Sequence, residues 1–263
     1  MTKQDAQSKK RRKGAEMHLE RARKLEEEGL FKEAVQALEK AVRGAEDKVP
    51  VYVNLAELYR SQRNVEQAIV AVEKAIKLAP NDLRLREMLL EMLLELGRFD
   101  NAIEESKSLL EFSPKSLSAR DVLSIAYLQK GMLDKALQIT NELVSLDPGS
   151  PVNHFKKAVL YQQKGDIGSA IQEFSRVLDM HPDAEMAKDS EQAIDTLDSH
   201  QLRHIVMLAV EDYIFRAKLI RDPESAALER GYYLSYSGMS ALKQIQFDEL
   251  PEVWTEWKQR FYH

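Results

Sequence analysis

The sequence predicts an all-α chain built as a helix-turn-helix solenoid, and three observations carry that prediction. Landmark residues recur every 34 positions through most of the chain, and a fixed period of this length marks a repeat array. Within each period the apolar residues follow the 3.6-residue spacing of helices, not the alternation of strands. The composition agrees, because 31 % charged and 7 % aromatic residues, with eight Pro and ten Gly in 263 positions, favour helices with solvated faces.

The chain opens on a basic tail, residues 1–14. Lys3, Lys9, Lys10, Arg11, Arg12 and Lys13 against Asp5 make a net +5, so the rest of the chain carries −10 of the overall −5. Nothing apolar in the tail offsets the entropy of ordering its backbone, and it is expected to be disordered. The cluster from Lys9 to Lys13 suits nucleic acid, an anionic surface or a nuclear-import address, beside the plainer role of a solvated tail. Nucleic acid enters as a partner only through this segment.

Residues 15–184 form the array. The stretch 49–82 shows the unit, with Tyr52, Leu55, Ala56, Tyr59, Ala68, Val72, Ala75 and Pro80. Its later landmarks return as Ala102, Ser106, Leu109, Pro114, then as Ala136, Thr140, Leu143, Pro148, and again as Ala170, Phe174, Val177, Pro182; one step back stand Ala34, Leu38 and Ala41. Five blocks follow: 15–48, 49–82, 83–116, 117–150 and 151–184. In the second block Tyr52, Leu55, Ala56 and Tyr59 make one helical stripe and Val65, Ala68, Ile69, Val72, Ala75 and Ile76 another. Pro80 then stops the second helix. Between the two helices stand Gly29, Gly97, Gly131 and Gly165, suited to φ > 0, with Arg63-Asn64 in the second block, where Asn64 is expected to take that conformation. Ala22, Ala56, Ser124 and Ala158 are small where helices approach, and a bulky side chain there would cost roughly 1–3 kcal/mol.

These residues resemble the tetratricopeptide repeat (TPR) family. The pattern is matched by Tyr52, Leu55-Ala56, Tyr59, Ala68, Ala75 and Pro80, and again by Ala158, Tyr161, Gly165, Ala170, Phe174 and Pro182. Departures are His18, Arg86, Arg120 and His154 at the bulky first landmark, and Arg21 and Lys157 in place of the leucine. Arg21 lies in a terminal repeat with no neighbour to cover it; Lys157 has no account at this level. The first block lacks its proline, and Gly44 is expected to end that helix early.

The resemblance implies a right-handed superhelix whose first helices line a concave groove. The inward positions would present Arg23 in the first block, and Val53, Asn54, Glu57 and Arg60 in the second. Arg84, Glu87 and Glu91 would follow from the third, Asp121, Ile125 and Leu128 from the fourth, and Phe155 and Val159 from the fifth. The middle of such a groove is acidic and its far end apolar, which suits a protein or peptide partner with a basic and apolar segment. Burial of the apolar end under the chain's own C-terminal helices is the alternative. A chaperone-binding subgroup of the family grips a C-terminal carboxylate; Asn54 and Arg84 match its clamp, but Leu19, Arg23 and Met88 hold the other places, and the acidic surroundings repel a carboxylate.

Residues 185–198 read as a capping helix through Met186, Ser190, Ala193, Ile194 and Leu197. Residues 199–263 read as a helical module: a helix over 201–210 capped by Ser199, a stretch over 212–220, and a helix started by Asp222-Pro223 and ended by Gly231. A further helix would be capped by Ser235 or Ser237, and a last aromatic one would carry Trp254, Trp257, Phe261 and Tyr262. Residues 211–242 resemble a small helical module of bacterial natural-product leader peptides and of small subunits of aromatic-ring-opening dioxygenases. The shared residues are Phe215-Arg216, Leu219, Asp222-Pro223, Ala227, Gly231 and Ala241-Leu242. The resemblance implies a bacterial source and an alternative role as the docking component of an enzyme system.

No catalytic, cofactor or metal site is expected. His200 and His204 are four apart, but zinc takes three protein ligands plus water, or four, and no third ligand is adjacent. There is no phosphate-binding glycine loop and no serine elbow. With no cysteine, no apolar run of the ~18–20 residues a membrane helix needs and no apolar segment after the basic tail, a cytoplasmic location is expected. The expected function is a non-catalytic protein-protein interaction scaffold.

Overall fold

The computed structural model describes residues 3–250, with side chains from residue 11 onward; the aromatic helix expected over 251–263 lies outside the described residues. Among the described residues there are fourteen α-helices, one 3-10 turn at Phe247–Glu249 and no strand. They divide into two compact units at Met132/Leu133.

The first unit holds α1 (Lys3–Glu27), α2 (Phe31–Gly44), α3 (Val49–Ser61), α4 (Val65–Leu78), α5 (Leu83–Glu95), α6 (Phe99–Phe112) and α7 (Leu117–Gln129). Consecutive helices pack in antiparallel pairs, α1 with α2, α3 with α4 and α5 with α6. The recurring alanines Ala34, Ala68 and Ala102 are fully buried at these contacts, as are Ala56 and Leu90 on the first helices. The small side chain lets backbones approach; larger neighbours such as Leu58 and Met92 fill the remaining space. Asp82 and Ser116 cap α5 and α7 by accepting from the amides of Arg84 and Ala119.

Each intra-repeat turn closes the same way. The amide three residues past the helix end donates five residues back, from Leu30 to Leu25, Asn64 to Tyr59, Arg98 to Leu93 and Met132 to Tyr127, at 2.8–2.9 Å. This six-to-one bond needs one residue at positive φ. Gly29, Gly97 and Gly131 supply it, but in the second block it is Arg63, at φ 58°. The expectation for Asn64 is therefore corrected. Asn64 sits one position later, at φ −96°, where its side chain caps α4 by accepting from the Gln67 amide. An asparagine at an N-cap position satisfies an orphan donor, and that use outcompetes its tolerance of positive φ.

The expected disorder of residues 1–14 is also corrected, since α1 is helical from Lys3. No helix breaker stands between Lys3 and Gly14, and tertiary contact reaches back into the tail. A Cβ on Gly44, the last residue of α2, would lie 2.8 Å from the Arg11 carbonyl oxygen. Gly44 is thus where the extended α1 crosses α2 closely, and Arg12 pairs with Glu16 at 3.2 Å along the same helix.

The second unit holds α8 (Leu133–Leu146), α9 (Pro151–Lys164), α10 (Ile167–Asp179), α11 (Ala184–Glu211), α12 (Tyr213–Arg221), α13 (Pro223–Glu229) and α14 (Tyr236–Gln244). The break expected at 198/199 is absent. Ser199 lies inside α11, a single helix of 28 residues and roughly 42 Å at 1.5 Å per residue. One buried face, Ile194, Leu197, Gln201, Ile205 and Ala209, runs without interruption. Its upper half joins a core with Ala158, Ala170, Ile171 and Phe174. Its lower half joins a second core with Phe215, Leu219, Ala227, Leu242 and Phe247. Because both halves bury the same stripe, packing favours continuity over a new start at Ser199.

Two buried polar side chains of α11 hold the segment that precedes α14. Gln201 exchanges two hydrogen bonds with the backbone of Tyr233, accepting from its amide at 2.8 Å and donating to its carbonyl at 2.7 Å. Asp198 accepts from the Ser235 amide at 2.9 Å and from the Ser235 hydroxyl. Ser235, of the two serines considered, caps α14.

Candidate peptide-binding face

In the first unit the first helices α3, α5 and α7 carry most of the residues predicted to face a groove. None of these is buried: Asn54, Glu57, Arg84 and Glu91 are exposed, and Val53, Arg60, Glu87, Asp121, Ile125 and Leu128 are half-buried. Arg23, on α1, is exposed. The structure brings two of them together. Arg60 Nη1 donates to Glu91 Oε2 at 3.2 Å, and Arg60 Nε to Glu95 Oε2 at 2.9 Å. Glu95 was missed by sequence reasoning, although it lies one turn beyond Glu91 on the same helix face, and that spacing could have found it.

The Arg60 contacts bridge α3 to α5. One turn back from Arg60 is Glu57, and one turn back from Glu91 is Glu87. Neither Glu57 nor Glu87 has an ion-pair partner among the described residues, whereas Glu91 and Glu95 share Arg60. The acidic middle of the face is therefore split into a neutralised part and an open part. These pairs are exposed, and such contacts contribute about 0–1 kcal/mol each.

In the second unit, Phe155 and Val159 on α9 are half-buried and pack against the core to which α11 supplies Ile194 and Leu197. The Phe155 and Phe174 rings meet edge to face with centroids 5.5 Å apart. The two side chains assigned to an apolar groove end thus place part of their surface on the core shared by α9, α10 and α11.

The unexplained Lys157 belongs to a buried polar network. Glu173 of α10 accepts from Lys157 Nζ at 2.8 Å and lies 2.6 Å from His154 Nδ1, with side-chain exposures of 8, 16 and 2 % for Glu173, Lys157 and His154. His154 Nε2 faces the Pro148 carbonyl at 3.3 Å. Burial alone pushes the Glu173 carboxyl up, but the hydrogen bonds from His154 and Lys157, with the Lys157 charge, outweigh it and hold that carboxyl below its ordinary value. The network fills the place of two family landmarks with satisfied polar groups. The His200 and His204 rings lie with centroids 4.3 Å apart and planes tilted by 39°. Among the described residues no group of three metal-ligating side chains forms, and no helix is long and apolar enough to cross a membrane.

Models of the tetratricopeptide repeat match residues 25–92, 93–153 and 153–183, more than half of the chain. The chain belongs to the tetratricopeptide repeat family. Solved structures of TPR proteins resemble it in fold. MamA from Desulfovibrio magneticus RS-1, residue 41 to its end, is 19 % identical with a TM-score of 0.56, over 64 % of this chain and 95 % of that one. YrrB, described as a TPR protein with an unusual peptide-binding site, is 21 % identical with a TM-score of 0.53, over 66 % of this chain and 90 % of that one. At these identities the likeness shows the fold alone. No curated protein matches the chain. As a TPR array it is a protein-protein interaction scaffold, since stacked repeats of this kind present extended binding surfaces.

Proposed function

We propose that the face formed by α3, α5 and α7 holds a peptide or helix of a partner protein that carries basic and apolar residues. The observation that supports this reading is the open pair of carboxylates, Glu57 and Glu87, beside the half-buried apolar side chains Val53, Ile125 and Leu128. A lysine or arginine of the partner would be drawn to the carboxylates, and apolar residues would cover the adjoining side chains. Charge complementarity of this kind raises the on-rate and excludes acidic partners. The peptide-binding site described for YrrB is consistent with such a use of the array.

The test uses a labelled amphipathic peptide of lysine and leucine, with a glutamate–leucine peptide as control. The unchanged protein is expected to bind the first and not the second, with affinity falling as salt rises. Glu57→Lys and Glu87→Lys together should abolish binding while helical content is kept. Equal binding of both peptides, or binding that survives the double reversal, would remove this face as the site.

A further inference from the structure

Residues 232–235, between α13 and α14, lie outside any helix and are held as a single extended strand. Gln201 of α11 exchanges two hydrogen bonds with the backbone of Tyr233, and Asp198, one turn earlier, accepts from the Ser235 amide at 2.9 Å. The Gln201 and Asp198 side chains are 3 and 4 % exposed. The side chains of the segment alternate as a strand requires. Tyr232 and Leu234 pack on the core of the C-terminal helices. Tyr233 lies instead against α10, where a Cβ on Gly168 would stand 2.8 Å from its Cγ.

The backbone alternates as well. The amides of Tyr233 and Ser235 point to α11, so the amide and carbonyl of Leu234 point to the opposite edge. Neither has a hydrogen-bond partner among the described residues. Two cavities, of about 720 and 470 Å³, meet at Leu234 and Ser235, which line both. The larger opens on Gln172, Arg176 and Asp179 of α10, the smaller on Tyr236, Met239 and Lys243 of α14.

We propose that the outer edge of residues 232–235 takes an extended segment of a partner protein as a second strand. One partner residue exchanges two backbone hydrogen bonds with Leu234, as Gln201 does with Tyr233 on the inner edge. An unpaired strand edge is complementary to another extended backbone. Successive side chains of the segment enter the two cavities in turn. Asp166 and Asp179 outnumber Arg176 in the larger one, which selects a lysine or arginine there, and Met239 gives the smaller one an apolar contact. Because Asp198 and Gln201 already order the strand, docking costs little further backbone entropy on this side.

Residue-resolved amide hydrogen exchange of the full chain tests this. In the free protein the Tyr233 and Ser235 amides should be protected, and the Leu234 amide should exchange freely. The probe is a capped heptapeptide of alternating lysine and valine, added to the chain carrying Glu57→Lys and Glu87→Lys so that the α3, α5 and α7 face does not contribute. At about ten times its Kd it should slow the Leu234 amide roughly tenfold. Leu234→Pro removes that amide at a position whose φ suits proline, and should abolish peptide binding with unchanged circular dichroism. Should that variant not fold, the same peptide N-methylated at every residue should bind many-fold more weakly to the parent. A Leu234 amide protected in the free protein overturns the proposal, because the edge is then already paired. Failure of the peptide to slow that amide also overturns it, as does binding that survives Leu234→Pro or N-methylation.

Discussion

Glu105 of α6 accepts from Arg86 Nη1 of α5 at 2.5 Å, and two repeat lengths further on Glu173 faces His154 in the same register. Both bases also reach back to a proline carbonyl of the preceding block, Arg86 Nε to Pro80 at 3.2 Å and His154 Nε2 to Pro148 at 3.3 Å. In the second block the same two places hold Tyr52 and Ala71. Within one array, an aromatic with a small residue in one block and a base with a glutamate in two others occupy the same two places.

Arg86→Ala or Glu105→Ala should each lower stability by roughly 1–3 kcal/mol, since a partly buried polar group loses its partner. Arg86→Tyr with Glu105→Ala, which recreates the second block's pair, should recover most of that loss. Urea midpoints for the two singles and the double decide this; additive losses would sink the equivalence.

Glu173 gives the fold an acid limb. Its carboxyl is held below its ordinary value in the folded protein, so between that lowered value and the unfolded one the unfolded chain binds more protons. The stabilisation is therefore present above the ordinary glutamate range and is lost as pH falls through the lowered folded value. Glu173→Gln should flatten the fall in thermal midpoint on acidification. At neutral pH the same change should cost about 3–5 kcal/mol, the typical penalty for stripping a buried pair of one charge.

The second-block turn assigns opposite outcomes to neighbouring residues. Arg63→Gly places glycine at a positive-φ position and should raise stability by roughly 0.5–1 kcal/mol, since a side chain there is strained. Asn64→Ala removes the cap on α4 and should lower it by ~1 kcal/mol. Thermal melts of the two variants check the pair. The reverse order would mean that Asn64 provides the left-handed residue after all.

Gly238→Ala should unsettle the C-terminal helices. A Cβ there would lie 2.4–2.6 Å from the Asp198 carboxylate, the group that anchors Ser235. Either that carboxylate moves and its hydrogen bonds break, or α14 shifts, at a cost of about 1–3 kcal/mol. Hydrogen exchange should rise in α14 and leave α3 and α4 unchanged; protection equal to the parent's would show that the clamp has slack.

The array was legible because its determinants are local and repeated. The alanines at helix crossings, the glycines of four of the five turns and the prolines past the second helices of the last four blocks follow from sterics and backbone φ alone, and 34-residue repetition separates them from chance. What was missed turns on choices between partners. Asn64 suits two conformations equally well as an isolated residue, and the neighbouring cap decided between them. Nothing near Ser199 distinguishes a helix start from a helix interior until Ile194, Leu197, Ile205 and Ala209 are seen on one buried stripe.

The candidate face divides in the same way. Its composition was set by residues such as Glu57, Glu87 and Glu91 on helices whose spacing is fixed by the repeat. Which carboxylates stay open was settled by Arg60 reaching α5, and Lys157 made sense only once Glu173 lay 2.8 Å away. Helix and turn arise from interactions within a few residues, so one sequence determines them. Ion pairing depends on distances between helices, and only the packed chain sets those.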